Sequence, residues 1–142
     1  MTRGYVYRHL VMLEETNLVG NVYFVHYLRW QGHCRERFLA DHAPGVLAAL
    51  GNGFTMVTTR CSCEYLDELT ARDQVELRMT LRDLDGGRIG MDFEYFLVNT
   101  EMPRLVARGG QTVACMVRDP AGLRPAVLPD ELCSALTRYL ET

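Results

Sequence analysis

A chain of 142 residues with 48% hydrophobic and 23% charged residues is one domain's worth of sequence, rich enough in apolar side chains to bury a core without disulfide or metal staples. A net charge of −3 with no basic run leaves no electrostatic case for nucleic acid, and no apolar stretch reaches the roughly 18 residues of a membrane span. The opening MTRGYVYRHLVML has no apolar signal core with a cleavage site, so the expected location is the cytoplasm.

In chain order, Gly4–Leu13 is rich in strand formers and predicts a first strand. A helical period takes over from Val22 to Ala40: at about 100° per residue, Tyr27, Cys34 and Phe38 share a line that Phe24 and Trp30 flank. Gly32 interrupts this helix, which predicts a close neighbour there. A short helix is expected after Pro44, closed by Gly51-Asn52-Gly53. Residues 53–66 predict a long strand. In 73–82, Val75, Leu77, Met79 and Leu81 alternate with polar neighbours, a half-buried strand. Asp85-Gly86-Gly87 signals a hairpin, and Ile89, Met91, Phe93 and Tyr95 resume the alternation. A turn near Thr100–Pro103 leads into a strand over Leu105–Arg118, in which Gly109-Gly110 predicts a bulge. Leu132, Ala135, Leu136, Tyr139 and Leu140 fall at helical spacing after Pro129.

The order is strand, long helix, four strands joined by hairpins, then a small helix. It predicts an α+β domain over residues 1–142 in which one antiparallel sheet wraps around a long central helix. The long strands leave an edge for a second copy to cover, so a homo-oligomer is expected. Cys34, Cys61, Cys63, Cys115 and Cys133 show no paired zinc-ligand spacing and read as reduced thiols; neither metal nor cofactor is expected.

The stretch Asn17-Leu18-Val19-Gly20-Asn21-Val22-Tyr23-Phe24-Val25-His26-Tyr27-Leu28-Arg29-Trp30 resembles the signature of the hot-dog thioesterases of the 4-hydroxybenzoyl-CoA thioesterase-like group. In that family an Asp, two residues and a Gly precede a mostly apolar run with aromatics that leads into the central helix; Gly20, Val22, Tyr23, Phe24 and Tyr27 match. One departure stands out: the family's catalytic Asp is Asn17 here. An amide at that position, Gly20–Arg37 with its paired arginines, and the segment CSCEYLDEL (61–69) are most similar to the thioesterases of enediyne polyketide pathways. That resemblance implies release of a polyene β-ketoacyl chain from a synthase's acyl carrier protein domain, in a homotetramer built as a dimer of dimers.

The residues set limits on the chemistry. A neutral carboxamide has no useful proton affinity near neutral pH, so Asn17 cannot be a general base; it can orient a water or hold a substrate carbonyl. It could equally form an Asx turn. The resemblance implies that the backbone N–H of Phe24, at the start of the helix, points at the thioester carbonyl as an oxyanion donor. Tyr27 can offer a hydroxyl at the bottom of an acyl slot or serve as a core aromatic. Arg35 lies on the Phe24/Gln31 flank of the apolar stripe and Arg37 further round; a guanidinium can bind a thioester and a β-carbonyl together and stabilise an enolate, or pair in solvent with Glu36 or Asp41. No obvious base remains: Glu36 points to the opposite face, and nothing in the sequence places Glu64 or Asp67. The expected mechanism is attack by an oriented water under electrostatic stabilisation, without a carboxylate nucleophile.

Other readings differ in class. A hydroxyacyl dehydratase on the same fold would need a catalytic His in a different context from those of His26 and His42. An acyl-CoA thioesterase of the 4-hydroxybenzoyl-CoA type, or a non-catalytic acyl-binding protein, is compatible with the motif. A serine hydrolase is excluded, since Ser62 and Ser134 are the only serines and no GxSxG elbow exists.

Overall fold

The computed structural model describes residues 4–140. Chain order is β1 (Tyr5–Leu10), a single 3₁₀ turn (Leu13–Glu15), α1 (Val25–His42), α2 (Pro44–Ala49), β2 (Phe54–Tyr65), β3 (Gln74–Asp85), β4 (Arg88–Leu97), β5 (Arg104–Asp119), β6 (Gly122–Pro125) and α3 (Asp130–Tyr139). The strands form one antiparallel sheet in the order β1-β3-β4-β5-β2, with β6 beside β5. The sheet curls around α1 as expected.

Alternation places Val75, Leu77 and Met79 of β3 and Ile89, Met91, Phe93 and Tyr95 of β4 on the inner face, all buried. Against them α1 turns Tyr27, Trp30, Cys34 and Phe38, the line read from the helical period. Burial of side chains the size of Trp30 and Phe38 contributes roughly 1.5–3 kcal/mol each, which offsets the weak intrinsic propensity of a helix carrying Gly32.

Four details differ from the sequence expectations. Only β3, β4 and β5 form a meander; β2 lies at the far edge beside β5, because the 66–73 connection crosses the end of the sheet, where Leu66 and Asp67 donate to Val106 O. Gly109-Gly110 is not a bulge: both pair in regular register, and the extra residues are Thr59 in β2, Arg82 in β3 and Val106 in β5. Gly109 is small for another reason, since a Cβ there would sit 2.3 Å from Ser62 O and 2.6 Å from Gln31 Nε2. Among the described residues nothing packs on Gly32, where a Cβ would meet open space. Phe24, expected beside the core stripe, is 54% exposed, because the chain enters the helix there and turns the ring outward.

Candidate active site

The segment before α1 is a small hairpin built by local bonds. Thr16 bridges Val22, Asn17 N–H donates to Asn21 O at 2.8 Å, and Gly20 N–H donates to Asn17 O at 3.0 Å. The three-residue tip needs a left-handed residue, and Gly20 supplies it at φ +92°. At the tip Asn17 Oδ1 accepts the Val19 N–H at 3.0 Å. This is the Asx turn, and it orients the amide: the oxygen is turned to the Val19 N–H, and the NH₂ has no partner among the described residues. The free half of Asn17 is a donor.

Two residues of the next element complete the donor set. The N–H groups of Phe24 and Val25 have no acceptor among the described residues, and no side chain caps the helix. They present the unpaired amides and partial positive field of a helix start. One turn on, Tyr27 is 3% exposed, and its hydroxyl makes no hydrogen bond among the described residues. Tyr65 donates from its hydroxyl to Phe24 O at 3.0 Å and packs edge-on against Tyr27, ring centroids 4.9 Å apart.

Asn17, Asn21, Val22, Phe24, Tyr27, Tyr65, Asp67 and Glu68 line one cavity of about 230 Å³. Burial first, then the neighbouring Cys63, Tyr65, Asp67 and Glu68, push the Tyr27 phenol well above its ordinary value. Burial and Cys63 push Tyr65 up to about 12, and burial pushes the Cys63 thiol up to about 11. These three groups are therefore protonated at neutral pH, and Tyr27 is a donor rather than a base. A larger hollow of about 530 Å³ lies over Ser62–Glu64, Asp92–Glu94 and Arg108–Gly109, but it holds none of the predicted site residues.

The structure thus brings Asn17, Phe24 and Tyr27 together. It does not bring Arg35 to them. Arg35 Nη1 donates to Gln111 Oε1 at 2.8 Å and to Thr58 Oγ1 at 3.2 Å, and Gln111 in turn donates to Gln31, whose Nε2 donates to Ser62 O. Burial lowers the guanidinium from its ordinary value, and no carboxylate lies within ion-pair distance among the described residues.

The sequence reading left Asp67 unplaced and did not single out Glu68 or Glu15. Asp67 and Glu68 stand on the cavity wall because the 66–73 connection is zipped to the Asn17 hairpin: Val22 N–H donates to Leu69 O at 2.8 Å, and Asn21 bridges Thr70. Asp67 is engaged by Arg104 at 3.1 Å and by the Glu68 N–H, whereas Glu68 accepts from Asn21 Nδ2 at 3.0 Å. Since a carboxylate accepts, that bond sets the Asn21 amide and leaves its Oδ1 buried without a partner among the described residues, a deficit worth about 1–3 kcal/mol. The third is Glu15, a buried carboxylate beneath the hairpin. The only sequence signal for Asp67 and Glu68 was their place in CSCEYLDEL; for Glu15 there was none.

Residues 11–136 match the family described as the thioesterase-like superfamily. No curated protein matches the chain significantly. Among solved structures, the dynemicin thioesterase, whose crystal structures reveal induced-fit and allosteric effects upon polyene binding, is 57% identical over 98% of each chain, with a TM-score of 0.94. A 1,4-dihydroxy-2-naphthoyl-CoA thioesterase from Synechocystis is 22% identical over 93% of this chain and 94% of that one, TM-score 0.83. The 4-hydroxybenzoyl-CoA thioesterase from Pseudomonas sp. strain CBS-3 is 12% identical over 94% and 99%, TM-score 0.82; these two share the fold. With the family match spanning nearly the whole chain and the sheet curled around one long helix, the chain belongs to the thioesterase-like superfamily of hot-dog folds and is a thioester hydrolase.

Proposed function

We propose that this hydrolase releases a polyene β-ketoacyl chain, as the β-keto acid, from the acyl carrier protein domain of an enediyne polyketide synthase in the cytoplasm, and that loss of CO₂ follows. The observation that carries the reading is 57% identity over 98% of the chain to a thioesterase of dynemicin that binds a polyene. The cavity supports it chemically. Asn17 Nδ2 and the Tyr27 hydroxyl hold the two carbonyls of a β-ketoacyl group, and the Phe24 N–H receives the charge that develops on the thioester oxygen. Water attacks the thioester carbon and its proton passes to Glu68, the cavity carboxylate that no arginine engages. The tetrahedral intermediate expels the thiolate, which takes that proton back, so acid and thiol leave and Glu68 is regenerated.

A second copy belongs to the reading. About 230 Å³ is below the 300–1,000 Å³ usual for ligand cavities, and the hairpin that carries Asn17 holds open apolar residues at its tip, Leu18 (107% exposed) and Val19 (82%), with Leu13 (77%) in the turn before it. The free edge of β2 offers a further contact. Arg35 stays in the proposal on separate ground. A half-buried guanidinium that meets no carboxylate among the described residues calls for an anion, and the enolate or carboxylate of a β-keto product is one. This role requires the assembly, a dimer of dimers, to bring Arg35 to a cavity it does not reach within one chain.

Mass spectrometry of products tests the reading. With a loaded synthase the protein is expected to yield a polyene acid or the methyl ketone left after decarboxylation, and to cleave the coenzyme A thioester of the same acyl group less efficiently. An acyl carrier that stays loaded while the coenzyme A thioester is hydrolysed would overturn it.

A further inference from the structure

Beneath the Asn17 hairpin lies a polar cluster built on one buried carboxylate. Glu15 is 8% exposed, yet its carboxylate accepts from donors on three different segments. Oε1 receives the Met12 N–H at 2.8 Å, Oε2 receives the Trp30 indole N–H at 2.8 Å, and His9 Nε2 sits 2.8 and 2.9 Å from the two oxygens. Because the carboxylate only accepts, it fixes the His9 proton on Nε2. The imidazole and the indole also pack together, centroids 4.8 Å apart. Trp30 is wholly buried and Tyr27 packs against it at 5.2 Å.

The same residue is bonded through its main chain. Glu15 O accepts the Tyr23 N–H at 2.9 Å, one residue before the oxyanion donor, and Glu15 N–H donates to Met12 O. Asn17 is two residues further on. Glu15 is therefore the point where the strand carrying His9, the hairpin carrying Asn17 and the helix carrying Tyr27 are tied together.

We propose that Glu15 is a positioning residue of the hydrolase: its buried carboxylate sets the spacing between the Asn17 amide and the first turn of α1. The proposal rests on the reading of the cavity given above and adds to it a residue that touches no substrate. A buried carboxylate stripped of these donors would be strongly unfavourable, so the network holds as a unit. Misplacement of a catalytic group by about 1 Å lowers the rate by about 10²-fold, which is the size of effect such a tie controls.

Trp30 is the sole tryptophan, so its fluorescence reports the tie directly. In Glu15→Gln, whose single carbonyl oxygen cannot accept from both the Met12 N–H and the Trp30 indole N–H, kcat is expected to fall about 10- to 100-fold with KM altered less than about threefold, and the Trp30 emission to shift. Combining Glu15→Gln with Asn17→Ala should be far from additive, since the first already mispositions what the second removes. Should Glu15→Gln not fold, Trp30→Phe removes the indole donor while keeping an aromatic ring, with about a three- to tenfold loss of kcat expected. Wild-type kcat in a folded Glu15→Gln, or losses that simply multiply with those of Asn17→Ala, would overturn the positioning role. Wild-type activity in Asn17→Ala alone would instead sink the reading of the cavity, whatever Glu15 does.

Discussion

At Asn17, one hydrogen bond decides what the residue can do. Its oxygen accepts the Val19 N–H, which leaves the NH₂ as the unpaired group among the described residues. In the proposed mechanism the side chain therefore meets the substrate as a donor, and the amide in a place where the family has an acid is chemically coherent. Tyr27 and the Phe24 N–H add two more donors and no base. These three were legible because their motif is local: a hairpin, a glycine and a helix start within a few residues of one another. Glu68 was not, since its place depends on the 66–73 connection being zipped to the hairpin across the sheet end. As the proton acceptor it gives a residue-scale prediction. Glu68→Gln keeps an acceptor for Asn21 and loses the base, so kcat/KM for a β-ketoacyl thioester falls about 10²- to 10⁴-fold; a rate within a factor of about two of wild type in steady-state assays contradicts the assignment.

At the scale of elements, the hydrophobic periods located α1 and β2 to β5 closely, because each buries one face. They failed where tertiary contact decides. Glu15, in a polar run before the hairpin, carries no periodic signal; it is buried where His9 from β1 and Trp30 from α1 both donate to it. Burial alone would raise this carboxyl, but the Met12 N–H, His9 and Trp30 outweigh it and hold it below the usual carboxylate range. The titratable groups facing it are His9 and, beyond, Tyr7 on β1. A depressed carboxyl contributes stability that is fully present above its unfolded value of about 4.3 and is lost as pH falls through the folded value. Thermal melts of wild type and Glu15→Gln should therefore show a gap at neutral pH that narrows as the solution is taken below about pH 4. A gap that stays constant or widens on acidification contradicts the network. Gly109-Gly110 shows a similar limit: paired glycines in a strand signal a bulge or a close approach, and only the position of Ser62 and Gln31 separates the two.

For the whole molecule, the α+β architecture followed from the order of elements, and no described helix is long and apolar enough to cross a membrane. What one chain does not provide is a closed site. The cavity is small, the hairpin beside it exposes Leu18 and Val19 at its tip, and Arg35 stands apart, held by Gln111 and Thr58. All three observations are accounted for together if copies of the chain share the site. The proposed chemistry inside that site rests on donors arranged around a thioester, with no carboxylate attacking it. Hydrolysis of a β-ketoacyl thioester by Asn17→Asp measures this most directly, because the aspartate still accepts the Val19 N–H and keeps the hairpin while removing the amide donors. The account predicts kcat/KM reduced by about 10²-fold, close to the loss in Asn17→Ala; an aspartate variant as fast as wild type or faster would contradict it.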